Sequence, residues 1–174
     1  MAQHLGPLEL VGDRWVIGDP AREGGLSIVL TPEGLEQRRH AEPAPLLAVE
    51  WSRVMDLRIR AAYRSWQATR PAALIGWGQP GADVGRDGCS LQGTLRHPYE
   101  PWSARYTHHE RRYGAGHVIV LKALFGRLTE AKALARLGDP QWLGAAVAEL
   151  SSCTSWYAPR GNRLVEETVR HLGT

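Results

Sequence analysis

A chain of 174 residues with 43% hydrophobic content is long enough to bury a sizeable core, as one domain or one domain with a small appendage, without support from disulfides or metal. Its net charge of +3 comes mostly from arginine, since Lys122 and Lys132 are the only lysines, and an excess this small permits an anionic partner without requiring one. Cys89 and Cys153 have no CxxC partner, which excludes a thiolate zinc site of the usual spacing, and no apolar run approaches the roughly 20 residues needed to span a bilayer. The opening "MAQHLGPLELVGDRW" lacks the basic start and continuous apolar core of a secretory signal, so a soluble cytoplasmic protein with two free thiols is expected.

The first 65 residues predict strands separated by turns. In "DRWVIGD" Trp15 and Ile17 alternate with smaller or polar neighbours, "LSIVL" is a compact β-prone run, and "TPEG" is a turn in which Pro32 presets φ. A hairpin between Leu26–Leu30 and Leu35–Arg39 follows, and "HAEPAP" interrupts the chain because two prolines cannot serve a central ladder. In "MDLRIRAAY" Met55, Leu57, Ile59, Ala61 and Tyr63 occupy one parity, while Asp56, Arg58, Arg60 and Arg64 occupy the other. This is the pattern of a half-buried antiparallel strand.

Residues 78 to 88, "QPGADVGRDG" and its neighbours, have the Gly, Pro and Asp content of a long loop, which could also be a lid or contact site. "CSLQGTLRH" resumes an extended pattern. From Trp102 to Tyr113 an alternating strand is expected, turning at "GAG" near Ala115 and pairing back as a hairpin with the β-prone run "HVIVLKALF". Helical spacing then begins at Leu128 and runs to Leu137. "GDP" starts a second helix with Asp139 as N-cap and Pro140 in its first turn, and Asn162 is a cap for a last helix whose Leu164, Val165, Val169 and Leu172 need a covering surface.

The passages "GLSIVLTPEGLEQRR" and "PLLAVEWSRVMDLRIRA", with their strand, turn and W-x-x-V pattern, resemble bacterial pleckstrin-homology-like (PH-like) domains over residues 12 to 137. The resemblance implies an α+β fold, an antiparallel split β-barrel closed by the 128–137 helix, with residues 138–174 as a helical extension packed on the barrel or on a partner. It also implies binding of proteins, peptides or lipids rather than catalysis, with no cofactor. The first hairpin, "GDPAREGG", sets Arg22 against Asp19 and Glu23, a poor match to the basic hairpin of phosphoinositide binders.

The stretch "YTHHERRYGAGH" concentrates three histidines, but adjacent residues of a strand point to opposite faces, so His108 and His109 diverge and neither a metal centre nor a catalytic group is expected from them alone. A metal-dependent or other enzyme would need His97, His108 or His109 to meet a residue of the 78–88 loop. Anion or nucleic-acid binding is served by arginines on strand faces: Arg58, Arg60 and Arg64 on one strand, with Arg105, His109 and Arg111 sharing a parity on another. Such stripes are also what the wet face of any strand carries. Trp77 and Trp156 lie where an exposed contact could form, whereas Trp15, Trp51 and Trp66 fit core packing. The principal expectation is a noncatalytic binding or scaffold module that meets a protein partner, or a second copy of itself, at a barrel edge or through the last helix.

Overall fold

The computed structural model describes residues 3–61, 89–111, 113–152 and 158–173. Among them the chain forms an α+β fold of nine antiparallel strands in two sheets, followed by three helices. The first sheet is a six-stranded meander of β1 (His4–Leu5), β2 (Leu8–Val11), β3 (Arg14–Ile17), β4 (Leu26–Leu30), β5 (Gly34–Arg39) and β6 (Leu47–Glu50). The second contains β7 (Val54–Arg60), β8 (Ser90–Leu95) and β9 (Glu100–Arg105). The two sheets are not closed into a barrel.

A 3-10 turn at Trp51–Arg53 carries the chain from one sheet to the other. It is fixed by the buried Trp51, whose indole N–H donates to the Thr31 carbonyl at 2.8 Å while its backbone N–H donates to Glu33. Gly34 lies where the β5 backbone passes so close to the Val49 carbonyl that a Cβ would collide with it, so the β5–β6 pairing requires glycine there.

The alternation in "MDLRIRA" is realised, with one correction. Leu57, Ile59 and Ala61 are buried as expected, but the register shifts between Val54 and Asp56, so Val54 is buried and Met55 is 39% exposed. A β-bulge gives two residues on one strand to one on its partner, and it reverses parity at its own site.

The larger correction concerns "HVIVLKALF". It does not pair back as a strand: α1 spans Ala115–Glu130. Six large apolar residues of α1, Val118, Val120, Leu121, Leu124, Phe125 and Leu128, are all essentially inaccessible. They need cover on two sides, and they have it, because α1 packs against β7 and against the last helix. A helix buried on two sides carries a nearly continuous apolar run, which periodicity cannot separate from a buried strand. The helix expected at Leu128–Leu137 is therefore displaced. Helix α1 ends at Glu130, Lys132 has φ +55°, and Leu134–Gly138 forms a 3-10 turn.

Helix α2 (Pro140–Leu150) starts as predicted. The Asp139 carboxylate accepts from Gln141 and Trp142 backbone N–H groups at 3.0 and 3.1 Å, with Pro140 in the first turn. Helix α3 spans Ala158–Leu172, so Asn162 lies inside it and is not its cap. The stripe on α3 is covered by the chain itself. Val165 and Val169 are buried, Leu164 and Leu172 are half-buried, and α3 packs on α1 and α2. Gly161 permits the approach to α1, since a Cβ there would meet Val120 and Ile119 side-chain carbons at 3.1 and 3.3 Å. Trp15 donates to the Pro140 carbonyl and Trp142 to that of Gly173, tying β3 to α2 and α2 to the end of α3.

Leu124 belongs to the cluster that both sheets and all three helices share. Leu124→Ala is expected to cost about 2–5 kcal/mol in urea unfolding. Asp139→Ala removes only a cap and should cost about 1 kcal/mol in the same measurement.

Candidate functional site

The register of the second sheet decides which arginines meet. Arg60 pairs with Ser90 and Ser90 with Arg105, while Arg58 pairs with Gln92 and Gln92 with Ser103. Residues paired across neighbouring strands share a face. Arg58, Arg60 and Arg105 therefore stand on one side of the β7–β9 sheet, opposite the side on which Leu57, Ile59, Leu91 and Ala104 are buried. An open groove of about 370 Å³ crosses this face, lined by Arg58, Asp56, Gln92, Thr94, Pro101 and Ser103 among others. Asp56 lies 3.7 Å from Arg58, whose side chain is 81% exposed. At such exposure the pair contributes little and does not occupy the guanidinium.

The structure separates His109 and Arg111 from that face. Strand β9 ends at Arg105, and the next residues turn inward. Thr107 donates its backbone N–H to the Leu26 carbonyl at 2.7 Å and its hydroxyl accepts from the Leu26 N–H at 2.8 Å, while its own carbonyl accepts from Asp19. This pulls the following pair of histidines under the first sheet. His108 and His109 are both buried, and they diverge as the sequence implies: His108 faces Tyr113, and His109 faces β2.

Around His109 a charged cluster is assembled from five segments of the chain. The β1–β2 ladder pairs His4 with Glu9 across a turn in which Gly6 has φ +62°, a conformation that suits glycine. Glu9 Oε2 accepts from Arg111 Nη2 at 3.1 Å, and Glu9 Oε1 lies 3.2 Å from His109 Nε2 without the alignment of a hydrogen bond. Arg111 also donates to the Gly6 carbonyl. Asp19 Oδ2 lies 4.0 Å from His109 Nδ1. The His4 and His117 rings meet edge to face at 5.7 Å, and His117 Nε2 donates to the Ser151 carbonyl at 3.0 Å. Four buried atoms of this cluster, His4 Nδ1, His109 Nε2, Arg111 Nη1 and His117 Nδ1, have no hydrogen-bond partner.

Burial is the main force on the titration of His4, His108, His109 and Tyr113. It holds His109 below the ordinary imidazole value, with help from the Arg111 charge, and it outweighs the opposing pull of Glu9 and Asp19. His4 is lowered by burial and then by Arg111 and His117, and His108 by burial and then by its neighbour His109. The contact of His109 with Glu9 at neutral pH is thus one of a neutral ring with a carboxylate, rather than a formed ion pair. The Tyr113 phenol is pushed up by burial, so its O–H is the donor to neutral His108 Nδ1 at 2.9 Å.

The remaining sequence candidates are dispersed. His97 sits in the exposed β8–β9 turn, and the six-residue strand β9 puts ~20 Å of chain between that turn and His108. Trp77, Arg64 and the 78–88 loop lie outside the described residues. Among the described residues no three His, Cys, Asp or Glu side chains are disposed to hold a metal ion. The cluster members that the sequence did not single out are His4, Glu9 and Asp19. The signal for Glu9 was its place in "LELV", a carboxylate between apolar residues of a short strand.

Among the described residues, Glu9 is the one carboxylate placed on both His109 and Arg111. Glu9→Gln leaves Arg111 without its counter-charge in a site where its side chain is 28% exposed, and should cost about 1–3 kcal/mol in denaturant unfolding at neutral pH, less than a fully buried pair. No family model matches this chain, and no curated protein or solved structure matches it either, so its chemistry is to be read from these two sites.

Proposed function

We propose that this protein is a noncatalytic binding module that holds an acidic segment of a protein partner on the arginine-bearing face of β7–β9. The observation that carries this is the register, which aligns Arg60, Ser90 and Arg105 in one row and Arg58, Gln92 and Ser103 in the next. Exposed guanidinium groups beside the Gln92 amide and the Ser103 hydroxyl are suited to carboxylates, because planar paired donors match carboxylate oxygens; Ser90, between Arg60 and Arg105, is buried. Single-stranded nucleic acid would also want rings on which bases stack. Of the aromatic side chains on β9 and the segment after it, Trp102 packs against the core and Tyr106 and Tyr113 are buried. That favours a carboxylate-rich peptide over an oligonucleotide.

The partner surface moves away from α3, since the apolar residues that would have captured a partner are spent on α1 and α2. A PH-like, split-barrel ancestry fits the same function and stays a proposal, supported by consecutive antiparallel strands in two sheets with a helix after the last of them.

Fluorescence anisotropy with a labelled oligoglutamate peptide and a labelled oligothymidylate tests this. The peptide should bind at low salt and weaken about tenfold or more between about 50 and 200 mM salt. Arg58→Glu with Arg105→Glu, both at exposed positions, should abolish binding while leaving the melting temperature nearly unchanged. Absence of peptide binding at low salt, equal binding by the double variant, or tighter binding of the oligonucleotide would each overturn the proposal.

A further inference from the structure

The binding face makes no use of the buried cluster around His109, although the cluster concentrates unpartnered buried polar atoms and joins elements far apart in sequence. Its most weakly held member is β1. That strand is two residues long, lies at the edge of the six-stranded sheet, and is joined to β2 by the pairs His4 with Glu9 and Leu5 with Leu8 and by the Leu10 N–H donating to Gln3 at 3.0 Å. Strands at a sheet edge with so few hydrogen bonds open locally at far less cost than the whole fold. What keeps β1 in place is the fully buried Leu5 and the packing of His4 against His117 of α1.

We propose that His4, Glu9, His109 and Arg111, with Asp19 behind them, form a proton-operated latch that fastens β1 to α1 and to the segment after β9 while the imidazoles are neutral and releases it when they charge. The electrostatics of each element facing the two rings fit this. His109 sees Glu9 from β2, Asp19 and the Gly18 backbone from the segment after β3, and Arg111 from its own segment. His4 sees Glu9 from β2, His117 from α1, and both Arg111 and His109 from the segment after β9. His108, also beside His109, sees Tyr113 and Arg22.

In the neutral cluster the Arg111 guanidinium faces Glu9, and the second carboxylate, Asp19, lies against the His109 ring. A first proton on His109 has carboxylates beside it, Glu9 Oε1 at 3.2 Å from Nε2 and Asp19 Oδ2 at 4.0 Å from Nδ1. A second, on His4, has no carboxylate left to itself: Glu9 is shared between Arg111 and His109, and His117 and Arg111 repel the new charge. Moving β1 into water relieves it.

The sign follows from linkage. His4 and His109 are held below their ordinary value of about 6.5 when β1 is docked, so the docked state binds fewer protons than the released one. Release is independent of pH above that value, becomes more favourable as pH falls through it, and levels off below the depressed values. Each proton taken up on release contributes up to about tenfold per pH unit.

Hydrogen exchange of the wild-type protein from pH 7.5 to pH 5, corrected for intrinsic rates, reads this directly. The Leu10 amide, whose acceptor is the Gln3 carbonyl next to β1, should lose at least about tenfold in protection below pH 6.5, while amides of Val29 and Leu124 keep theirs. His4→Gln should flatten the Leu10 profile, and His97→Gln, in the exposed turn, should leave it unchanged. The imidazole signals of the wild-type protein give a second readout that does not depend on any variant folding. Protection of Leu10 that is flat with pH, loss shared equally by Val29 and Leu124, or His4 and His109 titrating at the ordinary value would each overturn the latch.

Discussion

Everything in this molecule hangs on the seam at Thr107. One residue supplies a backbone donor to β4, a hydroxyl acceptor to the same strand, and a carbonyl to the segment after β3. These bonds attach the end of the three-stranded sheet to the six-stranded one on the side away from the Trp51 turn. Two sheets fastened at both ends enclose a common core, and the chain leaving the seam has nowhere to go except inward. The burial of His108 and His109, and hence their depressed basicity, is a consequence of where that seam falls.

Helix α1 is the other shared wall. It lies between β7 and α3, and Thr129 near its end gives its hydroxyl oxygen to the Leu57 N–H at 3.3 Å, which helps cover the backbone of β7. A sheet edge covered in this way is closed to stray pairing. On the outer face Arg58, Ser103 and Arg105 are exposed while Ser90 is buried, so alternate residues of the same strands serve an outer surface and the core.

Much of this was legible in the sequence, and the failures have physical causes. Strands β3 to β5 and β7 follow from alternation and from the Pro32 turn, and Asp139 with Pro140 marks the start of α2 because capping is a local interaction. "HVIVLKALF" misled because β-branched residues are as welcome in a helix buried on two sides as in a strand. The arginines show the limit of parity. Arg105, His109 and Arg111 share it in sequence, yet only Arg105 joins Arg58 and Arg60, since parity has meaning only while the strand lasts and β9 ends at Arg105. His4 and Glu9 were invisible for the opposite reason: their partners are about a hundred residues away, and nothing local marks them.

The tryptophans have a use beyond filling space. Trp15, Trp51 and Trp142 each donate the indole N–H across a boundary between segments, to Pro140, Thr31 and Gly173. Each is largely buried, and each guards a different joint: first sheet to α2, turn to sheet, and α2 to the end of α3. Opening any of these joints breaks an indole hydrogen bond and wets that ring, so the three rings are optical reporters of the joints as well as of unfolding.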